Sequence, residues 1–217
     1  MTTPAIEPLT DSRRAAVARL AYAVERPGGV ALLCGPAGTG KTVVLDRLAA
    51  GAGRRIERRP LAAWLDGVAA VDLPEVVLAD DAHLADVAQL VRLLDAVRSR
   101  RPEASLVLAG EGRLLSLVSR DPRLVRAVGL RAVLRPFTAE ETRGVLDATL
   151  YAGGPGRMAP ETRAAVARTI HEIAAGIPAV VARLAEFATL VAEARPDGSL
   201  DADDIEAIHR RLSLLAA

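Results

Sequence analysis

Apolar and polar positions follow two regimes along the chain of 217 residues. In the first, which runs to about residue 137, short unbroken apolar runs are separated by stretches with helical period. Val30-Ala31-Leu32-Leu33-Cys34, Val76-Val77-Leu78-Ala79 and Ser105-Leu106-Val107-Leu108-Ala109 show no alternation, as expected of strands buried on both faces of a parallel sheet. Between them, Val17, Leu20, Ala21 and Val24 recur at helical spacing from Ser12 until Pro27-Gly28-Gly29, and Val43 to Leu48 reads as a second helix. Leu84, Val87, Leu90, Val91, Leu94 and Val97 form the apolar stripe of a third. A short helix over Arg113–Val118, an arginine-rich turn and a short strand at Ala132-Val133-Leu134 follow, and residues 1 to about 11, with Pro4 and Pro8, read as an extended arm.

In the second regime the pattern is wholly helical. Pro136-Phe137 marks the boundary, and Thr138-Ala139-Glu140-Glu141 is a capping box opening a helix to Tyr151, stopped by Gly153-Gly154-Pro155-Gly156. Further helices begin near Pro160, Pro178 and Asp201, with breaks at Gly176 and Pro196-Asp197-Gly198. The expected organisation is an α/β unit over residues 1–137 and a helical unit over 138–217.

Chemistry enters at the first strand's end, where Gly35-Pro36-Ala37-Gly38-Thr39-Gly40-Lys41-Thr42 matches G-x-x-x-x-G-K-[ST] between strand and helix. Gly35, Gly38 and Gly40 are expected to take positive φ and turn backbone N–H groups inward, with the helix N-terminus adding its partial positive charge. Lys41 then reaches the β- and γ-phosphates of a nucleotide, and the Thr42 hydroxyl holds Mg²⁺. The chain has 28 Lys+Arg, and Lys41 is its single lysine. It stands where a compact ammonium fits among phosphates and a planar guanidinium does not.

A second motif, Asp80-Asp81 in LPEVVLADDAH, closes the buried strand at the end where open α/β sheets bind ligands. Asp80 is expected to act on Mg²⁺ through its water shell and Asp81 to orient or deprotonate the attacking water. The competing reading makes the pair an N-cap for the next helix. His83 reads as strand-end packing rather than a base.

The remaining composition narrows the picture. Aromatics are 2% against 51% hydrophobic residues, so the core is Ala, Val and Leu. A net charge of +1 calls for neither nucleic acid nor an anionic membrane, and Arg54–Arg59, with no aromatic among its arginines, reads as a solvated face on an edge strand. Cys34, alone, cannot form an intrachain disulfide and suits a buried apolar position. The N-terminus lacks a signal-peptide core and no stretch approaches the roughly 20 apolar residues of a membrane span, so a cytoplasmic protein without direct membrane insertion is expected.

The order of these motifs, together with Leu-Arg-Pro-Phe-Thr-Ala-Glu-Glu-Thr and Ala-Ala-Gly-Ile-Pro-Ala-Val-Val-Ala-Arg-Leu, resembles the AAA+ ATPases of the ExeA/TniB type, a group associated with secretion and transposition. The resemblance implies a parallel five-stranded sheet of order 5-1-4-3-2, a C-terminal all-α lid, ATP and Mg²⁺ as cofactors, and ATP-dependent self-association. It also implies an arginine finger acting on a neighbouring subunit, with Arg126 favoured among Arg120, Arg123, Arg126 and Arg131. The lid arginine usual after Gly-Ile-Pro is Ala179 here, and Arg183, one turn on, is the candidate to replace it. The chain contains no asparagine, so Glu111 is the nearest polar sensor beyond the third apolar strand. The acidic residue after Asp80 is usually Glu, and Asp81 is one methylene shorter, which predicts slow hydrolysis. The expected role is an ATP-driven switch or motor acting on a partner protein assembly, including one anchored in a membrane. The alternatives are a low-turnover nucleotide-binding regulator and a DNA-associated ATPase of the transposition type.

Overall fold

The computed structural model describes residues 9–51, 53–67, 72–150, 158–196 and 198–214. The arm expected before residue 9 and the helix stop at Gly153–Gly156 lie outside them, as do Tyr151 and Asp197. The described chain forms two compact units, one spanning Asp11–Arg135 and one beginning at Pro136.

The first unit is built on strands β1 (Val30–Cys34), β2 (Ile56–Pro60), β3 (Val76–Asp80), β4 (Ser105–Gly110) and β5 (Val128–Val133). They pair in parallel in the order β2-β3-β4-β1-β5, the 5-1-4-3-2 order read from the other edge. Alternate residues of β1 enter different cores. Val30, Leu32 and Cys34 face Trp64, Leu90, Leu94, Leu114 and Leu124, whereas Ala31 and Leu33 face Leu20, Val44, Leu45 and Leu48. The period of two thus gives a sheet covered on both sides, which is why its central strands are unbroken apolar runs. Helices α1 (Asp11–Glu25) and α2 (Lys41–Gly51) supply one layer. The other layer comes from α3 (Leu61–Gly67), α4 (Val87–Arg100), α5 (Arg113–Val118) and α6 (Pro122–Ala127).

Several boundaries differ from the sequence reading. Leu84 is not on the α4 stripe: it lies in a 3-10 turn, Ala82–Leu84, and is 72% exposed. A reciprocal capping box between Asp86 and Gln89 starts the helix at Val87 and fixes this end. The arginine-rich turn contains α6, begun by Asp121 accepting from Arg123 N (2.7 Å) and by Pro122 in the first turn. β5 starts at Val128, four residues before the expected short strand, because edge pairing with β1 begins there across a local irregularity at Val30 and Ala31. The sequence reading left out α3, although Leu61, Trp64 and Leu65 stand at helical spacing and are all buried.

The second unit comprises α7 (Ala139–Thr149), α8 (Pro160–Ala174), α9 (Pro178–Glu193) and α10 (Ala202–Leu214) around Leu146, Val166, Ile170, Val181, Leu184 and Ile205. The Thr138–Glu141 capping box forms in both directions. Gly176, at φ 67°, ends α8 and accepts from Phe137 N (2.7 Å). A Cβ there would lie 2.3 Å from the Phe137 carbonyl oxygen, so only glycine fits both the dihedral and the contact. Thr142, fully buried, pairs its hydroxyl with His171 Nδ1 at 2.9 Å. Among the described residues, no helix is long and apolar enough to cross a membrane.

Candidate functional site

The strands of the first unit run parallel, so their C-terminal ends share one edge, and Cys34, Asp80 and Gly110 come to it together. From Cys34 the chain turns through Gly35–Gly40 into α2. Gly38 and Gly40 have φ of 72° and 87°, as expected. Gly35 does not: positive φ is not what it supplies. A Cβ on it would stand 2.7 Å from Thr39 Oγ1 and 2.8 Å from the Leu134 carbonyl oxygen, so glycine is required by close approach. Thr39 is fully buried, and its hydroxyl donates to the Pro36 carbonyl (2.8 Å), which draws the loop in on itself. Lys41 Nζ donates to the carbonyls of Gly35 and Pro36, both at 2.9 Å. The single ammonium is thereby held over the loop's opening, beside the helix N-terminus.

Asp80 is 8% exposed at the end of β3. Its Oδ1 accepts from Asp81 N (3.0 Å), and its Oδ2 accepts from the Thr42 hydroxyl (3.4 Å). Hydroxyl and carboxylate oxygens converging at a phosphate loop are the donor set that suits Mg²⁺.

Asp81 is a non-glycine residue in left-handed conformation, φ 54° and ψ 26°, and its side chain makes no capping bond to the turn that follows. The competing reading of Asp81 as a helix cap is therefore not met. Aspartate is among the few residues that tolerate this left-handed region, and the turn leaves Asp81 exposed just past the end of β3.

His83 lies over Gly110, where a Cβ would meet His83 N at 2.8 Å. Its Nε2 is 3.7 Å from Glu111 Oε1, its carbonyl accepts from Arg113, and its buried Nδ1 has no hydrogen-bond partner among the described residues. Glu111 thus sits just past β4, turned to His83, with its side chain 43% exposed.

The four arginine-finger candidates separate by their surroundings. Arg123 is engaged by Asp121 (3.0 Å) and Asp95 (3.6 Å), and Arg131 is on the edge strand β5. Arg120 and Arg126 are exposed, Arg126 in the last turn of α6. In the second unit, Ala179 and Arg183 line one groove of α9 with Val145, Thr149 and Glu186.

Two residues at the site were missed in the sequence. Arg58, read as part of a solvated face, instead donates from Nη1 to Asp80 Oδ2 (3.3 Å) and from Nε to Asp46 Oδ1 (3.0 Å). The reason is the parallel pairing of β2 with β3, which sets Arg58 opposite Leu78 and within a side chain's reach of Asp80. Its neighbour Arg59 stacks over the Trp64 ring at 4.8 Å. Nothing in the charge run singles out Arg58. The second residue, Arg13, is 4% exposed and donates to the Thr39 carbonyl. It was legible as an arginine on the apolar stripe Arg13-Ala16-Leu20-Ala23.

Burial pushes the Cys34 thiol up to about 11, outweighing the opposing pull of Lys41 and Arg131. The folded state therefore keeps the proton longer than the unfolded chain, whose thiol titrates near 9.0. Stability from this group is intact below pH 9 and falls as pH rises through about 11. Urea unfolding midpoints from pH 8 to 11 should fall more steeply for the native sequence than for Cys34→Ala, and parallel curves would show the thiol to be solvated.

The fold is that of a P-loop nucleoside triphosphatase of the AAA+ kind, a parallel five-stranded sheet with a C-terminal helical region. The solved structures it resembles are more particular. Thermotoga maritima RuvB, described as a Holliday junction branch migration motor, superposes with a TM-score of 0.67 at 16% identity, over 93% of this chain and 71% of that one. Aeropyrum pernix ORC2, solved as ADPNP–ADP complexes, gives 0.66 at 18% identity, over 94% and 68%. Aeropyrum pernix ORC1 in complex with DNA gives 0.66 at 20%, over 95% and 66%. No family model matches the sequence, and no curated protein matches it.

Proposed function

We propose that the chain binds ATP with Mg²⁺ at Gly35–Thr42 and hydrolyses it slowly, as a switch or motor of the ExeA/TniB type acting on a partner protein assembly. One observation carries this reading: the Thr42 hydroxyl and the Asp80 carboxylate meet at 3.4 Å beside a lysine-capped glycine loop, with the exposed Asp81, whose carboxylate makes no capping bond, next in the chain. In this scheme Thr42 and Asp80 hold Mg²⁺, which neutralises charge on the phosphates when bound. Pro36, Ala37, Gly38, Thr39 and Gly40 present backbone to the phosphates, and Lys41 exchanges its two loop carbonyls for phosphate oxygens. Asp81 orients the attacking water and accepts its proton. Glu111 and Arg183 are assigned as sensors of the phosphate state, and Arg126 as the finger offered to a neighbouring copy.

A neighbour-supplied arginine requires copies to meet, so the proposal includes an ATP-dependent homo-oligomer in the cytoplasm. The partner assembly includes the case of a membrane-anchored protein. Sizing with light scattering should show a larger species with a non-hydrolysable ATP analogue than with ADP, and Arg126→Ala should lower turnover at least about tenfold without changing nucleotide affinity. A monomer in every nucleotide state with full ATPase activity would remove the finger from the scheme. The DNA-associated alternative is favoured by the two neighbours solved or described with nucleic-acid tasks. ATPase stimulation by duplex DNA distinguishes it from a protein-directed or low-turnover role.

A further inference from the structure

Among the described residues, the buried polar or charged side chains are Arg13, Thr39, Asp80, Ser105 and Thr142; Arg13 and Thr39 meet at the phosphate loop, and Asp80 ends β3, within reach of Thr42. Arg13 is the unexpected member, because arginine is almost never fully buried unless its donors are used. One nitrogen, Nη2, donates to the Thr39 carbonyl at 3.1 Å and to the Arg135 carbonyl at 2.8 Å, and Nη1 donates to the Ser12 hydroxyl at 2.9 Å. The other bonds described for Thr39, from its N and its hydroxyl, both go to Pro36 and stay within the loop. Arg13 thus ties the loop to the backbone beyond the end of β5.

We propose that Arg13 is a positioning residue for the nucleotide, which it serves through the Thr39–Gly40 peptide. The inference rests on the reading of Gly35–Thr42 as a nucleotide site. No peptide in the described chain is cis. In a trans peptide the carbonyl of one residue and the N–H of the next point in opposite directions. Holding the Thr39 oxygen back against α1 therefore turns the Gly40 N–H forward, to the side where the phosphates bind. Gly40, at φ 87° and with nothing within 4 Å of a Cβ built on it, has the freedom to let this peptide rotate. Arg13 removes that freedom before the ligand arrives, and its buried charge adds to the positive potential behind the loop. The affected ligand chemistry is the diphosphate of a nucleoside polyphosphate, since the loop backbone cradles the α- and β-phosphates.

The test is calorimetry of ADP and AMP on the whole chain, wild type against Arg13→Met and Arg13→Gln, at a temperature where circular dichroism shows each folded. Arg13→Met should weaken ADP at least about tenfold and AMP by about threefold or less, so that the ADP-to-AMP preference falls. Arg13→Gln, which keeps an amide donor for one carbonyl, should recover part of that preference, and it carries the test alone where the methionine variant does not fold. A lower melting temperature with an unchanged ADP-to-AMP preference would make Arg13 a structural residue and overturn the proposal. If wild type binds neither nucleotide, the nucleotide reading fails and the proposal with it. If wild type binds and both variants bind alike, only the role of Arg13 fails.

Discussion

Lys41→Ala is expected to weaken ATP and ADP binding by about a hundredfold or to below detection, while the protein stays folded. The size follows from what the ammonium does. Charge-assisted bonds to phosphate oxygens are worth roughly 1.5–3 kcal/mol each, and in the proposed scheme Lys41 would make more than one in place of its bonds to the carbonyls of Gly35 and Pro36. Folding does not depend on those two contacts, because the loop is closed independently by Thr39 on Pro36 and anchored by Gly35 N on the Gly110 carbonyl (3.2 Å). With no second lysine in the chain, no like group can take its place. Lys41→Arg should also fail, because a planar guanidinium does not fit the opening that two carbonyls hold for a point charge. Binding by Lys41→Ala at wild-type affinity would move the site elsewhere.

The second large effect is on turnover. Asp81→Asn should lower the hydrolysis rate by about a hundredfold or more and leave nucleotide affinity within about twofold, because positioning and deprotonating water contributes roughly 10²–10⁴ to rate and little to binding. Asparagine is the right substitution. Asp81 stands at φ 54°, and asparagine tolerates this left-handed region as aspartate does, whereas alanine adds backbone strain to the lost carboxylate. Asp81→Glu extends the carboxylate by one methylene. If reach is what limits the rate, it should hydrolyse at least as fast as wild type, provided the longer residue accepts the same dihedrals. Single-turnover assays separate the chemical step from product release. An Asp81→Asn protein that turns over like wild type would transfer attention to Glu111, 3.7 Å from His83 at the next strand end.

The parts of the fold that were legible in the sequence are those where a single local pattern has one structural solution. An unbroken apolar run cannot face water on either side, and β1, β3 and β4 are wholly buried, as their composition requires. Glycine at Gly38 and Gly40 with lysine beyond specifies a turn of one shape. The sheet order came from resemblance and not from periodicity, since nothing in a strand's own residues says which strand lies beside it. The errors lie where tertiary pairing decides. Gly35 was assigned a dihedral role and has a steric one, set by Thr39 within the loop and by Leu134 just past the neighbouring strand β5. Arg58 was read by its neighbours in sequence, yet β3 and α2 supply its partners Asp80 and Asp46. Arg13 belongs to no motif, although it shares the buried stripe of Ala16 and Leu20. Asp80 for Arg58, and Thr39 and Arg135 for Arg13, are distant in sequence, and the local pattern is silent about them.

Calorimetric titration of the whole protein with ADP and ATP, with and without Mg²⁺, decides whether this chain holds a nucleoside triphosphate at Gly35–Thr42. Saturable binding at one site per chain is expected, tighter for ATP when Mg²⁺ is present and lost in Lys41→Ala. Absence of saturable binding to the wild-type protein under all four conditions would contradict that assignment.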